Sequence, residues 1–263
     1  MTLAAFFIAP IAIGAAQPKL PPPNGASAVT PMQARDPFTN ILKLYGSDDG
    51  ALTRINYAAL SASEADMGNL ARYIDRMAAM TPSHMERDEA LPYWANLYNA
   101  LTVQVVAKNW PVTSIKQIKS GPFTAGPWKR DLVSVEGKTL SLDAIEHGIM
   151  RAQYPDPRIH YMVNCASVGC PNLRLKVWSA DTLEADMDAA AARYINAARG
   201  ARIEGGKLTV SSLYKWYKAD FGDGHAGLIA HLSRYAEPEL KAELETISKV
   251  SRYSYDWNVN GVK

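Results

Sequence analysis

The chain has 263 residues, which is enough for one large domain or two small ones. Hydrophobic residues make up 48% and charged residues 21%, as in an ordinary globular protein. Basic and acidic side chains number 28 and 26, which leaves a net charge of +2. No basic run stands out, and this balance argues against nucleic acid as a partner.

The first sixteen residues, MTLAAFFIAPIAIGAA, are apolar and end in the small residues that precede a signal-peptidase cut. The stretch is shorter than the roughly 18 residues of a spanning helix, so we expect no stable membrane span. The first cation is Lys19, so the charged start of a signal peptide is missing. A disordered apolar arm and a membrane-retained anchor are the alternatives. We predict a signal peptide at 1–16, a Pro-rich linker at 17–34 and a periplasmic or secreted protein.

Residues 35–263 show no internal repeat and no linker, which predicts one domain. Glu136 with Gly137, and Gly205 with Gly206, each predict the turn of a β-hairpin. Long helical patterns lie between these hairpins. The mixture predicts an α+β fold, a single domain of several helices packed on a mixed, mostly antiparallel sheet.

The stretch between Glu89 and Lys108 contains no charge and is apolar on both sides, which predicts a helix buried all round. Asn96 and Asn99 share one side of this helix. A buried amide needs partners, because an unmet one costs about 1–3 kcal/mol. The two amides either bridge backbone in the core or face a cleft in which they orient a ligand or a catalytic group.

A shorter helix, LDAIEHGIMRAQY, is predicted after Ser141. Glu146, His147 and Arg151 point away from its apolar stripe, and His147 and Arg151 lie one turn apart. These side chains form either a solvated helix face or part of a site.

The segment RIHYMVN, residues 158–164, alternates like a strand, with His160 and Asn164 on one face. In an extended segment the Cα atoms of His160 and Cys165 would be roughly 16 Å apart, too far for a catalytic pair. His160 would then meet Cys170 only if the next turn folds back over the strand.

Both cysteines, Cys165 and Cys170, lie in the stretch NCASVGCP, where Gly169 can supply a positive φ. A disulfide is one interpretation, since a short turn can bring the Cα atoms within the roughly 4.4–6.8 Å that a bridge needs. A metal pair is a weaker one, because His147 and His160, which would complete the ligands, match no zinc spacing.

A nucleophilic cysteine is the third interpretation, and it requires a base and an orienting group. His147 or His160 would be the base, and Glu146 or an asparagine would orient the imidazole. The backbone amides of the ASVGC turn would form an oxyanion site. Ionisable groups clustered around one loop favour a functional site there.

The chain contains no Gly-rich phosphate loop, no GxSxG and no HExxH, and we expect no cofactor and no metal. The remaining histidines, His84, His225 and His231, have no neighbours of chemical interest. Ordinary core or surface roles are expected for them.

Four motifs occur in order: YWANLYNALTV, DAIEHGIMR, DPRIHYMVNCASVGCPNLR and YDWNVN. Through them the chain, from about Asn56 to Asn260, resembles the domain-of-unknown-function 547 family. Ala95 stands where that family more often has a larger aliphatic residue, which is a packing change. The positions that match the family are Trp94, Asn96, Tyr98, Asn99, Glu146, His147, Arg151, His160, Asn164, Cys165, Ser167, Cys170 and Pro171.

The resemblance implies a protein whose biochemical activity is not established and whose bacterial relatives are often exported. Relatives without the second cysteine make Cys165 the better candidate nucleophile. The predicted site has four catalytic candidates, which are Cys165, His147, His160 and Glu146. It also has four ligand-binding candidates, which are Asn96, Asn99, Asn164 and Arg151.

Two functions are open on these residues. The first is a binding module for a small molecule or peptide-like ligand, with Cys165 and Cys170 as a disulfide. The second is a cysteine-dependent hydrolase or acyltransferase that acts on amide or peptide-like substrates in the cell envelope.

Overall fold

The structure is a computed structural model that describes residues 36–262, so the predicted signal peptide (1–16) and linker (17–34) lie outside the described residues. It confirms the α+β fold. The helices are α1 (Pro37–Tyr45), α2 (Tyr57–Ala62), α3 (Glu64–Ala78), α4 (Arg87–Lys108), α5 (Arg151–Gln153), α6 (Leu183–Ile195), α7 (Leu213–Trp216), α8 (Gly224–Tyr235) and α9 (Pro238–Leu244). The strands are β1 (Gly46–Asp48), β2 (Thr53–Ile55), β3 (Val133–Val135), β4 (Lys138–Leu140), β5 (Ala201–Glu204), β6 (Lys207–Ser211) and β7 (Val250–Ser254).

The strands are divided among three small sheets. β1 pairs with β2 and β3 pairs with β4, both antiparallel, while β5, β6 and β7 form a mixed sheet in which β6 and β7 are parallel. The predicted hairpin turns are confirmed. Glu136 and Gly137 have φ angles of 50° and 75°, and Gly205 and Gly206 have 56° and 70°. Left-handed residues at both central positions match the turn to the twist of the paired strands.

Helix α4 forms the centre of the larger hydrophobic core. Its side chains are buried on all sides from Ala90 to Val103, as the uncharged stretch predicts. Helices α2 and α3 pack against it. The acidic residues Asp88 and Glu89 in its first turn and Lys108 in its last complement the helix dipole. Within residues 36–262, no helix is both long and apolar enough to cross a membrane.

A second, smaller core lies between α6, the β5–β6–β7 sheet and α8. The segment Pro157–Tyr161 contributes to both cores, because Ile159 packs in the larger one and Tyr161 in the smaller one. His160 lies between these two side chains in the sequence, with only 1% of its side chain exposed. The residues that fix this segment therefore also fix the histidine.

The prediction of a strand at 158–164 is wrong, because Pro157–Tyr161 is a 3₁₀-helix. Asp156 caps it by accepting a hydrogen bond from the Arg158 amide at 2.8 Å, and Pro157 occupies the first turn. The guanidinium of Arg158 also pairs with carboxylates of α6. The sequence alternates like a strand here because Ile159 and Tyr161, the apolar neighbours of His160, pack in different cores. The separation of roughly 16 Å between His160 and Cys165 required an extended chain and no longer applies.

We expect His231 to make the stability of the protein sensitive to acid. Burial lowers the pKa of His231 to about 4, and its Nε2 lies 2.8 Å from the Tyr161 hydroxyl. Below pH 6.5 the unfolded chain binds more protons at this site than the folded chain. The free energy of unfolding should therefore fall as the pH drops from 6.5 to about 4, by at most about 3 kcal/mol. Urea unfolding should show this slope in the native protein and in the exposed control His84→Gln, and His231→Gln should flatten it. An unchanged slope in His231→Gln would contradict the assignment.

Candidate functional site

The cysteine loop begins where α4 meets the segment after the 3₁₀-helix. The amide of Asn99 donates to the carbonyl of Met162 at 2.9 Å, and its oxygen accepts from the backbone N–H of Asn164 at 2.9 Å. One buried side chain thus makes two hydrogen bonds to backbone groups on either side of Val163. This pairing sets the position of Cys165, the next residue along the chain.

Asn164 holds the loop from inside. Its amide donates to the carbonyl of Pro171 at 2.6 Å, and its oxygen accepts from the Ala166 N–H at 2.8 Å. Asn260 also donates to that oxygen at 3.3 Å. These bonds close the stretch between Asn164 and Pro171 into a compact turn that contains both cysteines.

The outer side of the loop pairs with the C-terminal segment. The N–H groups of Val168 and Gly169 each donate at 2.8 Å to carbonyls of residues 258 and 256. The expected positive φ does not fall on Gly169: Ala166 takes it instead, with φ of 57°. Gly169 is required for a different reason, since a Cβ there would lie 2.8 Å from the backbone nitrogen of Asp256.

The two cysteines are free thiols in this structure. Cys165 is half-buried, and its Sγ lies 3.1 Å from the Tyr255 hydroxyl and 3.4 Å from that of Ser167. Cys170 is buried, and its Sγ accepts a hydrogen bond from the Cys165 N–H at 3.0 Å. The disulfide stays a prediction.

The surroundings of the two thiols move their pKa values in opposite directions. A hydrogen bond from the Cys170 thiol lowers the pKa of Cys165, and the hydroxyls of Ser167 and Tyr255 add to this effect against the penalty of burial. Burial raises the pKa of Cys170. Of the two, Cys165 is therefore the thiol that ionises first and the one that solvent reaches.

His160 is held by a carboxylate that lies far away in the sequence. Its Nε2 is 2.7 Å from Oδ2 of Asp220, and Arg151 donates to both oxygens of that carboxylate at 2.6 and 2.8 Å. The hydrogen bonds from His160 and Arg151 hold the pKa of Asp220 well below its usual range. The ring of Tyr217 stacks on the imidazole, with centroids 4.2 Å apart.

The other nitrogen of His160, Nδ1, is buried and has no hydrogen-bond partner within the described residues. Its nearest charged neighbour is Glu146, whose Oε1 lies 3.9 Å away. His147 is more exposed: its Nε2 is 3.8 Å from Asp143, and its Nδ1 is 3.5 Å from a guanidinium nitrogen of Arg151. Of the two histidines, His160 is the one with an oriented ring and an unused nitrogen.

These groups meet at a cavity of about 170 Å³. Its ionisable lining residues are Asp143, Glu146, His147, His160, Cys165 and Cys170. Its aromatic lining residues are Tyr98, Trp128, Trp216, Tyr217, Tyr255 and Trp257. All four predicted catalytic candidates therefore line one cavity.

The four predicted ligand-binding residues lie elsewhere. Asn96 accepts from the Trp178 N–H at 2.8 Å and donates to the Trp178 carbonyl at 2.9 Å, so it bridges backbone as Asn99 does. Asn164 is used up within the cysteine loop, and Arg151 is used by Asp220. For the two α4 amides the structure shows the backbone-bridging alternative.

The cysteine turn offers few amides to an oxyanion. The backbone N–H groups of Cys165, Ala166, Val168, Gly169 and Cys170 all donate within the protein. The expected oxyanion site is therefore not formed by these five amides. The hydroxyl of Tyr255, which lines the cavity, is the donor closest to Cys165.

The sequence analysis missed Asp220 and the aromatic residues that the second half of the chain adds to the cavity, which are Trp216, Tyr217, Tyr255 and Trp257. Asp220 lies within the stretch SSLYKWYKADFG, whose aromatic residues are typical of core packing and carry no signal for a site. The motif YDWNVN carried a signal for Tyr255 and Trp257, but nothing in its spacing places it beside the cysteines. The backbone bonds between 166–169 and 256–260 do so.

One known family is similar to this chain over part of its length. The family model described as "Protein of unknown function, DUF547" matches residues 82–195, which confirms the resemblance to the domain-of-unknown-function 547 family over this segment. The segment contains α4, the 3₁₀-helix with His160 and the cysteine loop. Asp220 and the lining residues Trp216, Tyr217, Tyr255 and Trp257 lie beyond it. Searches of curated proteins and of solved structures gave no match.

No group of three or more histidine, cysteine, aspartate or glutamate side chains within 36–262 is arranged to hold a metal ion.

The bridging role of Asn99 predicts a large loss of stability on truncation. Asn99→Ala leaves the Met162 carbonyl and the Asn164 N–H buried without partners, so the free energy of unfolding should fall by about 2–4 kcal/mol in urea unfolding. Gln104→Ala is the matched control, because Gln104 is a half-exposed polar residue of the same helix. It should change stability by less than about 0.5 kcal/mol. A loss in Asn99→Ala as small as in the control would contradict the bridging role.

The thiol assignment predicts selective alkylation. In the reduced protein at pH 7, iodoacetamide should label Cys165 and spare Cys170, since the thiolate is the reactive form and Cys170 is buried. Cys170→Ala removes the hydrogen bond that contributes most to the low pKa of Cys165, so labelling should slow and its midpoint should move to higher pH. Intact-mass spectrometry with peptide mapping reads both effects, and Cys165→Ser is the unlabelled control. Preferential labelling of Cys170 would refute the assignment.

Proposed function

We propose that this protein is a cysteine-dependent hydrolase or acyltransferase acting on amide or peptide-like substrates. One observation carries the proposal: His160 has its Nε2 held by Asp220 and its Nδ1 buried without a partner, in a cavity that Cys165 also lines. A thiol, a histidine and a carboxylate that orients the ring are the parts that nucleophilic catalysis needs.

Each residue has a defined part in the reaction. The Cys165 thiolate attacks the substrate carbonyl carbon, and the proton of the thiol passes to His160. The carbon–nitrogen bond then breaks, and His160 gives its proton to the leaving amine. Water, activated by the same imidazole, attacks the thioester and releases the acid and the thiol. If an amine or alcohol replaces water, the result is acyl transfer.

Asp220 acts through His160 and is a positioning residue. Its carboxylate keeps Nε2 engaged, which leaves Nδ1 as the nitrogen that exchanges protons. Arg151 keeps the carboxylate ionised and fixes its direction by two hydrogen bonds. Cys170 stabilises the thiolate of Cys165 as a hydrogen-bond donor.

A second candidate is a non-catalytic binding module, and the walls of the cavity favour it. Three tryptophans, Trp128, Trp216 and Trp257, line the cavity together and offer a large aromatic contact surface. In this function Cys165 and Cys170 would form a disulfide, and a small molecule or peptide-like ligand would occupy the cavity.

The proposal includes export. The apolar start of the sequence and its small residues at 14–16 support a periplasmic or secreted protein. Cell fractionation with N-terminal sequencing tests this part, and a cytosolic protein that retains residues 1–16 would refute it.

4-Nitrophenyl acetate tests the catalytic proposal without knowledge of the natural substrate. The reduced protein should release a burst of nitrophenolate and carry one acetyl group on Cys165 by mass spectrometry. His160→Ala should slow acylation by about 100-fold or more. Asp220→Asn should also slow it, and Asp220→Glu should recover part of the rate, which a purely structural role would not do. His84→Gln is the exposed control. No acetylation at Cys165, or equal rates in His160→Ala and the control, would refute the proposal and leave the binding module.

A further inference from the structure

We infer that the cavity takes a substrate group with a positive charge, of the class of a protonated primary amine on a lysine-like side chain. This inference rests on the proposed function, because it names the substrate class of the same cavity. It is carried by the charge and the aromatic surface of the cavity walls.

The cavity is lined by carboxylates, and its described lining residues include no lysine or arginine. These carboxylates are Asp143 and Glu146. A substrate carboxylate or phosphate would meet two like charges there and find no guanidinium or ammonium. A cationic group would meet two carboxylates.

Of the two carboxylates that line the cavity, Glu146 gives the stronger evidence for a cationic ligand. Its side chain is only 10% exposed, and within 36–262 its one ion-pair neighbour is His160 Nδ1 at 3.9 Å, beyond hydrogen-bond distance. Arg151 acts on Glu146 only from a longer range, because two hydrogen bonds commit it to Asp220. A carboxylate removed from water is costly unless it is paired. The Tyr217 hydroxyl donates a hydrogen bond to this carboxylate, but within 36–262 no cation pairs with it at hydrogen-bond distance. A ligand ammonium would supply that cationic partner.

The aromatic walls suit the same ligand. The ring of Trp257 lies 4.5 Å from that of Tyr255 and 5.4 Å from that of Trp216, measured between centroids. Trp257 already contacts an ammonium group, since Nζ of Lys116 lies 3.8 Å from its ring centre. Such faces attract cations, most strongly where water is excluded.

The size of the cavity suits a single side chain. Its volume of about 170 Å³ equals that of roughly five to six water molecules. A four-carbon chain with a terminal amine fits this space, with its methylenes against the indole rings and its charge at the carboxylates. An uncharged side chain of the same length would cover the Glu146 carboxylate without supplying a cation to balance its charge.

The test measures binding in a protein that cannot turn over. In Cys165→Ala, tryptophan fluorescence should report binding of Nα-acetyl-lysinamide with a Kd at least about tenfold below that of Nα-acetyl-norleucinamide, which has the same chain without the charge. Glu146→Gln, placed in the same background, should reduce this preference to less than about threefold. Asp143→Asn, at the half-exposed edge, is a second variant in case Glu146→Gln does not fold. Glu239→Gln, an exposed carboxylate on α9, is the matched control.

Equal Kd values for the two amides would overturn the inference, and so would a lysine preference that survives both Glu146→Gln and Asp143→Asn. The result is separable from that of the proposed function. If Cys165 is acetylated but no lysine preference exists, the hydrolase stands and the cationic substrate falls. If the preference exists but Cys165 is never acylated, the cationic site stands in a binding module.

Discussion

The side chain of Asn99 makes the pair of hydrogen bonds on which the rest of the site depends. Its side-chain amide bonds to the carbonyl of Met162 and to the N–H of Asn164, as a neighbouring strand would. Both backbone groups are buried, so they need a partner within the protein. Because α4 is buried on all sides around Asn99, this amide is held by a helix at the centre of the larger core. His160 precedes the bonded segment and Cys165 follows it. The central helix thus helps to position both side chains although it supplies neither of them.

The second half of the chain completes the cavity. The loop between the cysteines pairs with the backbone of residues 256–260, which brings Tyr255 to 3.1 Å from the Cys165 sulfur. Asp220, on the turn after α7, reaches back to His160 across 60 residues of sequence. The matched family segment, 82–195, therefore contains Cys165 and His160, while Asp220, Trp216, Tyr255 and Trp257 come from beyond it.

Charge in the site is divided between two carboxylates with different partners. Asp220 has a guanidinium and an imidazole, so it stays ionised and holds a ring in place. Glu146 has no cation at hydrogen-bond distance within 36–262: the Tyr217 hydroxyl donates a hydrogen bond to it, and Nδ1 of His160 lies 3.9 Å away. In the proposed function, the first carboxylate orients His160 and the second meets the ligand.

The sequence by itself determined the parts that depend on local chemistry. The hairpin turns follow from residues that tolerate positive φ, and the burial of α4 follows from a stretch without charge. Glu146, His147, His160 and Cys165 were also predicted, because their motifs lie within 20 residues of each other. Only the tertiary structure decided the conformation of 157–161, where Ile159 and Tyr161 enter different cores and thereby imitate the alternation of a strand. It also decided that Asn96 and Asn99 bridge backbone, and that Asp220 orients His160. The physical reason is that the first outcome depends on packing into two separate cores, and the others depend on hydrogen bonds between residues 60 or more positions apart. No local pattern encodes such pairings.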